Sequence, residues 1–174
     1  SFADLKQQYD SHPAKEGEEV IFRIQAVEAL AYIKAPEALE LLRRAALHDE
    51  HWDVSEAAAK ALVAHGEAAV PVFLEMLKAQ REYLRVLAAR QLGKLKAASA
   101  APALIQGAKD GHILVRIHSL RALAQVAAAH AAEAPKLLPA LMAGLNDKEG
   151  VVKQAAIDAL APLADKVGGQ RDAV

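Results

Sequence analysis

The sequence predicts an all-α fold, an α-solenoid of about five helix pairs. Three observations carry this. Alanine fills 41 of the 174 positions while aromatic residues make up only 4%, and the best helix former with the smallest apolar side chain favours closely packed helices. One pattern recurs along the chain: "FRIQAVEALAYI" (22–33), "VSEAAAKALVAH" (54–65), "LRVLAARQLGKL" (84–95), "VRIHSLRALAQV" (115–126) and "VKQAAIDALAPL" (152–163). Its near-constant leucine falls at Leu30, Leu62, Leu92, Leu123 and Leu160, with spacings of 32, 30, 31 and 37 residues, a period that marks a repeat array. Within each segment the apolar residues keep helical spacing. In the fourth, Val115, Ser119, Leu120, Ala122, Leu123 and Val126 share one face.

Taken in order, each recurring segment is the second helix of a pair. "FADLKQQY" (2–9) is the first helix of the first pair, followed by the polar loop "DSHPAKEGEE" (10–19). "PEALELLRRAAL" (36–47), "AVPVFLEMLKA" (69–79), "APALIQGAK" (101–109) and "APKLLPALMAGL" (134–145) are the other first helices. Pro36, Pro71 and Pro102 sit near their starts, where a missing N–H costs least. The pairs occupy roughly residues 1–34, 35–65, 66–97, 98–130 and 131–167 of a single domain, with a tail over 168–174. The last spacing is longer because of "AAAHAAEAP" (127–135), which predicts a longer second helix or a bulged loop.

The bulk numbers bound the function. A chain of this length buries one real core. It lacks cysteine, so disulfides and thiolate metal sites are excluded. No long apolar run or secretory signal is apparent, so no membrane partner is expected and the cytoplasm is the expected compartment. Ser1 in place of Met points to a processed or internal start. The net charge of -1 conceals -5 over residues 1–53, +5 over 54–125 and -1 over 126–174. A basic centre matters if the fold gathers those charges.

The segments resemble HEAT repeats, above all the short bacterial kind found in phycobilisome lyases, on the pattern D-x5-[VL]R-x2-A-x2-AL. Asp110 with Arg116 matches fully, and Asp147 with Lys153 by a conservative change. Asp49 has Ser55 in the arginine position, and Arg85 has Ala79 in the aspartate position. The resemblance implies a right-handed α-α superhelix. It also implies that the aspartates and arginines form a structural ladder between neighbouring turns, and that the second helices line a concave surface. Counting 100° per residue from the ladder position, the first, fifth and ninth residues after it point away from the core. The middle pairs then present Lys60, Arg90, Lys94 and Arg121, with Val86 and Ile117 beside them and His118 at the edge. Cations bordering aliphatic side chains suit an acidic or amphipathic segment of a protein partner. The expected function is therefore non-catalytic: a protein-binding scaffold without cofactor or metal. The sequence carries no signal of oligomeric state.

Two alternatives come with the resemblance. Some HEAT-like proteins are DNA glycosylases that grip DNA in a cationic groove. The four cations would serve that role, but pI 6.6 and seven aromatics weigh against a nucleic-acid partner. A bilin-lyase-like subunit is the other. Deoxyhypusine hydroxylase, also HEAT-like, holds two irons on His-Glu dipeptides, and no His is followed by Glu here. "HDEHWD" (48–53) has the residue types of a metal site. His51, however, aligns with His112 two pairs away, which makes both turn histidines. Asp53 is the expected N-cap of the next helix. Trp52 is expected to pack under its turn, as Ile113 does in the fourth pair; its alternative role is an exposed contact residue.

Overall fold

The computed structural model describes residues 1–12 and 17–171. It divides into two compact units, Ser1–Val72 and Phe73–Val174. The described residues are helical with no strand, as the period predicts.

The first unit contains α1 (Phe2–Asp10), α2 (Glu18–Leu30), α3 (Pro36–His48) and α4 (Trp52–Leu62). A tight turn over Val63–Ala69 then leads into α5 (Val70–Met76), which crosses from the first unit into the second. Ser1 caps α1 reciprocally with Asp4, and Pro36 opens α3 where its missing N–H is harmless. Ala26, Val27, Leu30, Leu42, Ala45, Ala58 and Leu62 are wholly buried. Each buried leucine contributes about 2 kcal/mol by leaving water, and the alanines bring the helix backbones close. The loop expected over 10–19 falls partly on residues 13–16, outside the described residues.

The second unit continues with α6 (Glu82–Leu95), α7 (Ala101–Gly107), α8 (Ile113–Ala129), α9 (Ala134–Ala143) and α10 (Gly150–Arg171). α8 packs against α6 on one side and α10 on the other. Ala88, Leu92, Leu104, Leu120, Leu123, Leu137, Leu141 and Ala156 are buried. The six additional residues of the last spacing are absorbed both ways: α8 runs to 17 residues, and His130–Glu133 form a turn whose His130 Nε2 bonds the Lys96 carbonyl at 2.9 Å. α10 continues through residues 168–171 of the expected tail; residues 172–174 lie outside the described residues.

One reading needs correction. Trp52–Met76 is, by length and composition, a helical stretch long and apolar enough to cross a membrane. Half of its apolar window is nevertheless buried inside the protein. Gly66, at φ 60° and ψ -136°, breaks it into α4 and α5. Its buried part, at Val54, Ala58, Leu62 and Phe73, packs in the core.

Candidate binding face and the ladder behind it

The ladder fixes the phase of the second helices. Arg116 donates from Nε and Nη2 to both carboxylate oxygens of Asp147 at 2.8 and 3.0 Å. Its Nη1 holds the carbonyls of Asp110 and Gly111 in its own turn. Arg85 repeats this, bidentate on Asp110 at 2.8 and 3.0 Å with Nη1 on the carbonyls of Ala79 and Gln80. In the first unit Arg23 pairs with Asp49, which also accepts from Tyr9 Oη at 2.7 Å. Each rung thus joins the arginine of one pair to the aspartate of the next. Each aspartate also accepts the N–H two residues on: His51 at 2.9 Å, His112 at 2.8 Å and Glu149 at 2.9 Å.

This geometry changes the meaning of the two departures. Asp49 and Arg85 are both engaged, although Ser55 and Ala79 stand at the other ladder positions of their own pairs. Ser55 Oγ instead donates to the Ala45 carbonyl at 3.4 Å. Arg116 holds the Asp147 carboxyl below the usual carboxylate value. At Asp110 burial pushes upward, but the Arg85 and His112 donors outweigh it and the value falls. Tyr9 is pushed up to about 12 by burial and by the Asp49 carboxylate beside it.

With the ladder turned inward, the opposite side of α6 and α8 forms a face within the second unit. Lys94 and Arg121 are exposed; Arg90, Val86 and His118 are half-buried. Burial, then Arg121 and Arg90, push the His118 imidazole below its usual value, so the histidine lies within the field of both guanidiniums. Ile117, expected to be exposed, is only 8% accessible. It sits at the boundary of the face, where α8 is flanked by α6 and α10, and contributes to packing. Lys60 lies in the first unit, exposed and paired with Glu56 at 3.1 Å. It lines a shallow depression with Gln25, Glu28, Ala29, Tyr32 and Ala57. Tyr32, at 87% accessible, is an exposed aromatic that the candidate residues did not include. Its signal was there, in the ninth position after the ladder residue.

The "HDEHWD" turn also differs in detail. α4 starts at Trp52, and its cap is His51, whose Nδ1 accepts the Asp53 N–H at 3.3 Å. Asp53 therefore sits in the first turn. Trp52 does not pack beneath the turn; it is 58% exposed, and Ile113 is 36% exposed. Two further histidines serve the backbone: His12 Nδ1 lies 2.7 Å from the Gln8 carbonyl and His65 Nε2 lies 3.3 Å from that of Leu30. Among the described residues no three His, Asp or Glu side chains gather as a metal site.

Known proteins place this arrangement. The family described as HEAT repeats matches residues 14–85 and 70–161. No curated protein matches. Among solved structures, the complex of CpcE and CpcF of phycocyanin lyase from Nostoc sp. PCC7120 aligns at 26% identity with a TM-score of 0.59. That match covers 83% of this chain and 60% of the other, so the chain spans less than two thirds of its neighbour's length. An engineered protein aligns at 19% identity, TM-score 0.56, covering 91% and 78% of the two chains. Human deoxyhypusine hydroxylase aligns at 20%, TM-score 0.53, covering 92% and 79%. The last two are similar in fold alone.

Proposed function

Because the chain belongs to the HEAT-repeat family, we propose that it is a non-catalytic protein-binding scaffold whose α6/α8 face holds an acidic or amphipathic segment of a partner protein. The supporting observation is the cluster of Arg90 and Arg121 around His118, with Lys94 exposed beside it. A rigid helical face is organised before binding, so little ordering cost falls on this side. Val86 supplies a half-buried aliphatic surface, and Lys60, Tyr32 and Trp52 are further contacts in the first unit. The test is titration of a fluorescent acidic amphipathic helical peptide. Arg90→Glu with Arg121→Glu should weaken capture at least tenfold while circular dichroism stays unchanged; equal capture removes the reading. A DNA duplex in the same titration distinguishes the nucleic-acid alternative, which requires tight binding at low salt.

The likeness to the phycocyanin lyase complex favours a second reading, a subunit of a bilin-lyase-like assembly. A bilin mixed with the protein should then show a shifted absorption band. An unchanged spectrum rejects it.

A further inference from the structure

The second helices of the second unit, α6, α8 and α10, leave matching turns. Arg85 and Arg116 each hold the carbonyls of their own turn, and Asp110 and Asp147 each accept the N–H two residues on. Equivalent positions of the three helices therefore stand side by side, roughly 8–10 Å apart. Two positions before the ladder residue are Tyr83, Leu114 and Val151. Leu114 and Val151 are 48% and 59% exposed, and Tyr83 is half-buried, with the Arg81 guanidinium 5.3 Å from its ring centre. Five positions after the ladder residue are Arg90, Arg121 and Asp158. Seven residues, almost two whole turns, separate the rows on each helix, so both rows face the same way about 10 Å apart. The charged row is not uniform: it runs plus, plus, minus. Asp158 is exposed and accepts Gln154 Nε2 at 2.8 Å, a neutral donor that leaves its negative charge in place.

We propose that these two rows read the order of charges on an amphipathic α-helix of the partner protein. That helix lies across α6, α8 and α10, with two acidic residues and one basic residue at seven-residue intervals. The inference rests on the protein-binding reading above and sharpens it. An α-helix rises about 10.5 Å in seven residues, close to the distance between neighbouring second helices. Apolar residues at i, i+7 and i+14 then meet Tyr83, Leu114 and Val151 in turn, while the charged residues meet Arg90, Arg121 and Asp158. A helix about 10 Å wide covers both rows. Turning it end for end with the same side down exchanges its flanks and lays its apolar residues on the charged row. Reversal therefore cannot rescue a wrong charge order. A phosphate backbone fits less well, because Asp158 would repel it. A second copy of this chain does not supply the helix: among the described residues no two exposed large apolar side chains stand seven apart.

Two fluorescent helical peptides of one composition, added in trans, test this. Both carry leucine at i, i+7 and i+14; their flanking charges run Glu-Glu-Lys in one and Lys-Glu-Glu in the other. One order should bind at least about tenfold tighter. Asp158→Lys, at an exposed position, should erase that preference while circular dichroism stays unchanged. Leu114→Asp with Val151→Asp should weaken the preferred peptide about tenfold or more. Equal capture of the two orders overturns the inference and leaves the protein-binding reading standing, as does a preference that survives Asp158→Lys. Capture of neither order, with the acidic amphipathic peptide of the first titration still bound, also overturns the inference alone. Loss of that peptide as well removes the reading beneath it.

Discussion

Arg116 and Asp147 illustrate what one side chain settles in a repeat array. The pair is mostly shielded, at 6% and 13% side-chain exposure, and its donors are charged and bidentate. Arg116→Ala strands the Asp147 carboxylate and is expected to cost about 2–3 kcal/mol in urea unfolding. Breaking the surface pair Lys136–Glu133 should cost under about 0.5 kcal/mol. The same aspartate sets an acid limb. Its folded value lies below the ordinary 3.8, so the unfolded chain takes up the proton first as pH falls. The rung's stability is full above 3.8 and drains as pH drops through the lower folded value; Asp147→Asn should flatten that limb. His118 works in the opposite sense. Burial and two guanidiniums hold its value below the ordinary 6.5, whereas a bound acidic segment would favour its charged form. Peptide capture should therefore strengthen as pH falls toward the lowered value of the free imidazole, and His118→Ala should remove that dependence.

At the scale of a helix pair, glycine positions separate packing from conformation. A Cβ at Gly144 would lie 2.9 Å from Ala156 Cβ and 3.0 Å from Leu120 Cδ1, so Gly144→Ala should destabilise by about 1–3 kcal/mol. Gly66 and Gly150 both face open space, yet Gly66 sits at φ 60°. Gly66→Ala should cost about 1 kcal/mol, while Gly150→Ala should be neutral or stabilise by up to about 1 kcal/mol. Thermal melts of the three variants check this order. The helix pairs themselves were legible because burial acts on each turn locally and leaves a 3.6-residue signature, as at Leu30, Leu62, Leu92 and Leu123. The outward phase of Lys94, Arg121 and Tyr32 was legible for the same reason. What escaped depends on neighbouring elements. The partner of Asp49 lies 26 residues away in Arg23. Ile117 is covered by flanking helices, and Trp52 is exposed by the starting point of α4.

Over the whole molecule, a net charge of -1 leaves no strong long-range field, so attraction for an acidic partner must come from the local cluster on α6 and α8. Capture should accordingly fall several-fold between about 50 and 300 mM NaCl, as the screening length shrinks toward the spacing of those charges; salt-independent capture would point to the aliphatic residues instead. The two kinds of join in the chain have opposite tolerance for added length. Six residues separate Asp110 from Arg116, and Asp147 from Lys153. One residue inserted between Asp110 and Arg116 would swing the guanidinium about 100° away from the Asp110 and Gly111 carbonyls that it holds in its own turn. The turn at His130–Glu133 has already absorbed six residues, taken up by a longer α8 and tethered by the His130–Lys96 bond. Proteins descended from a common ancestor with this one should thus differ in length at that turn and keep the hexad count unchanged, so that the array drifts at its margins while its internal ruler stays fixed.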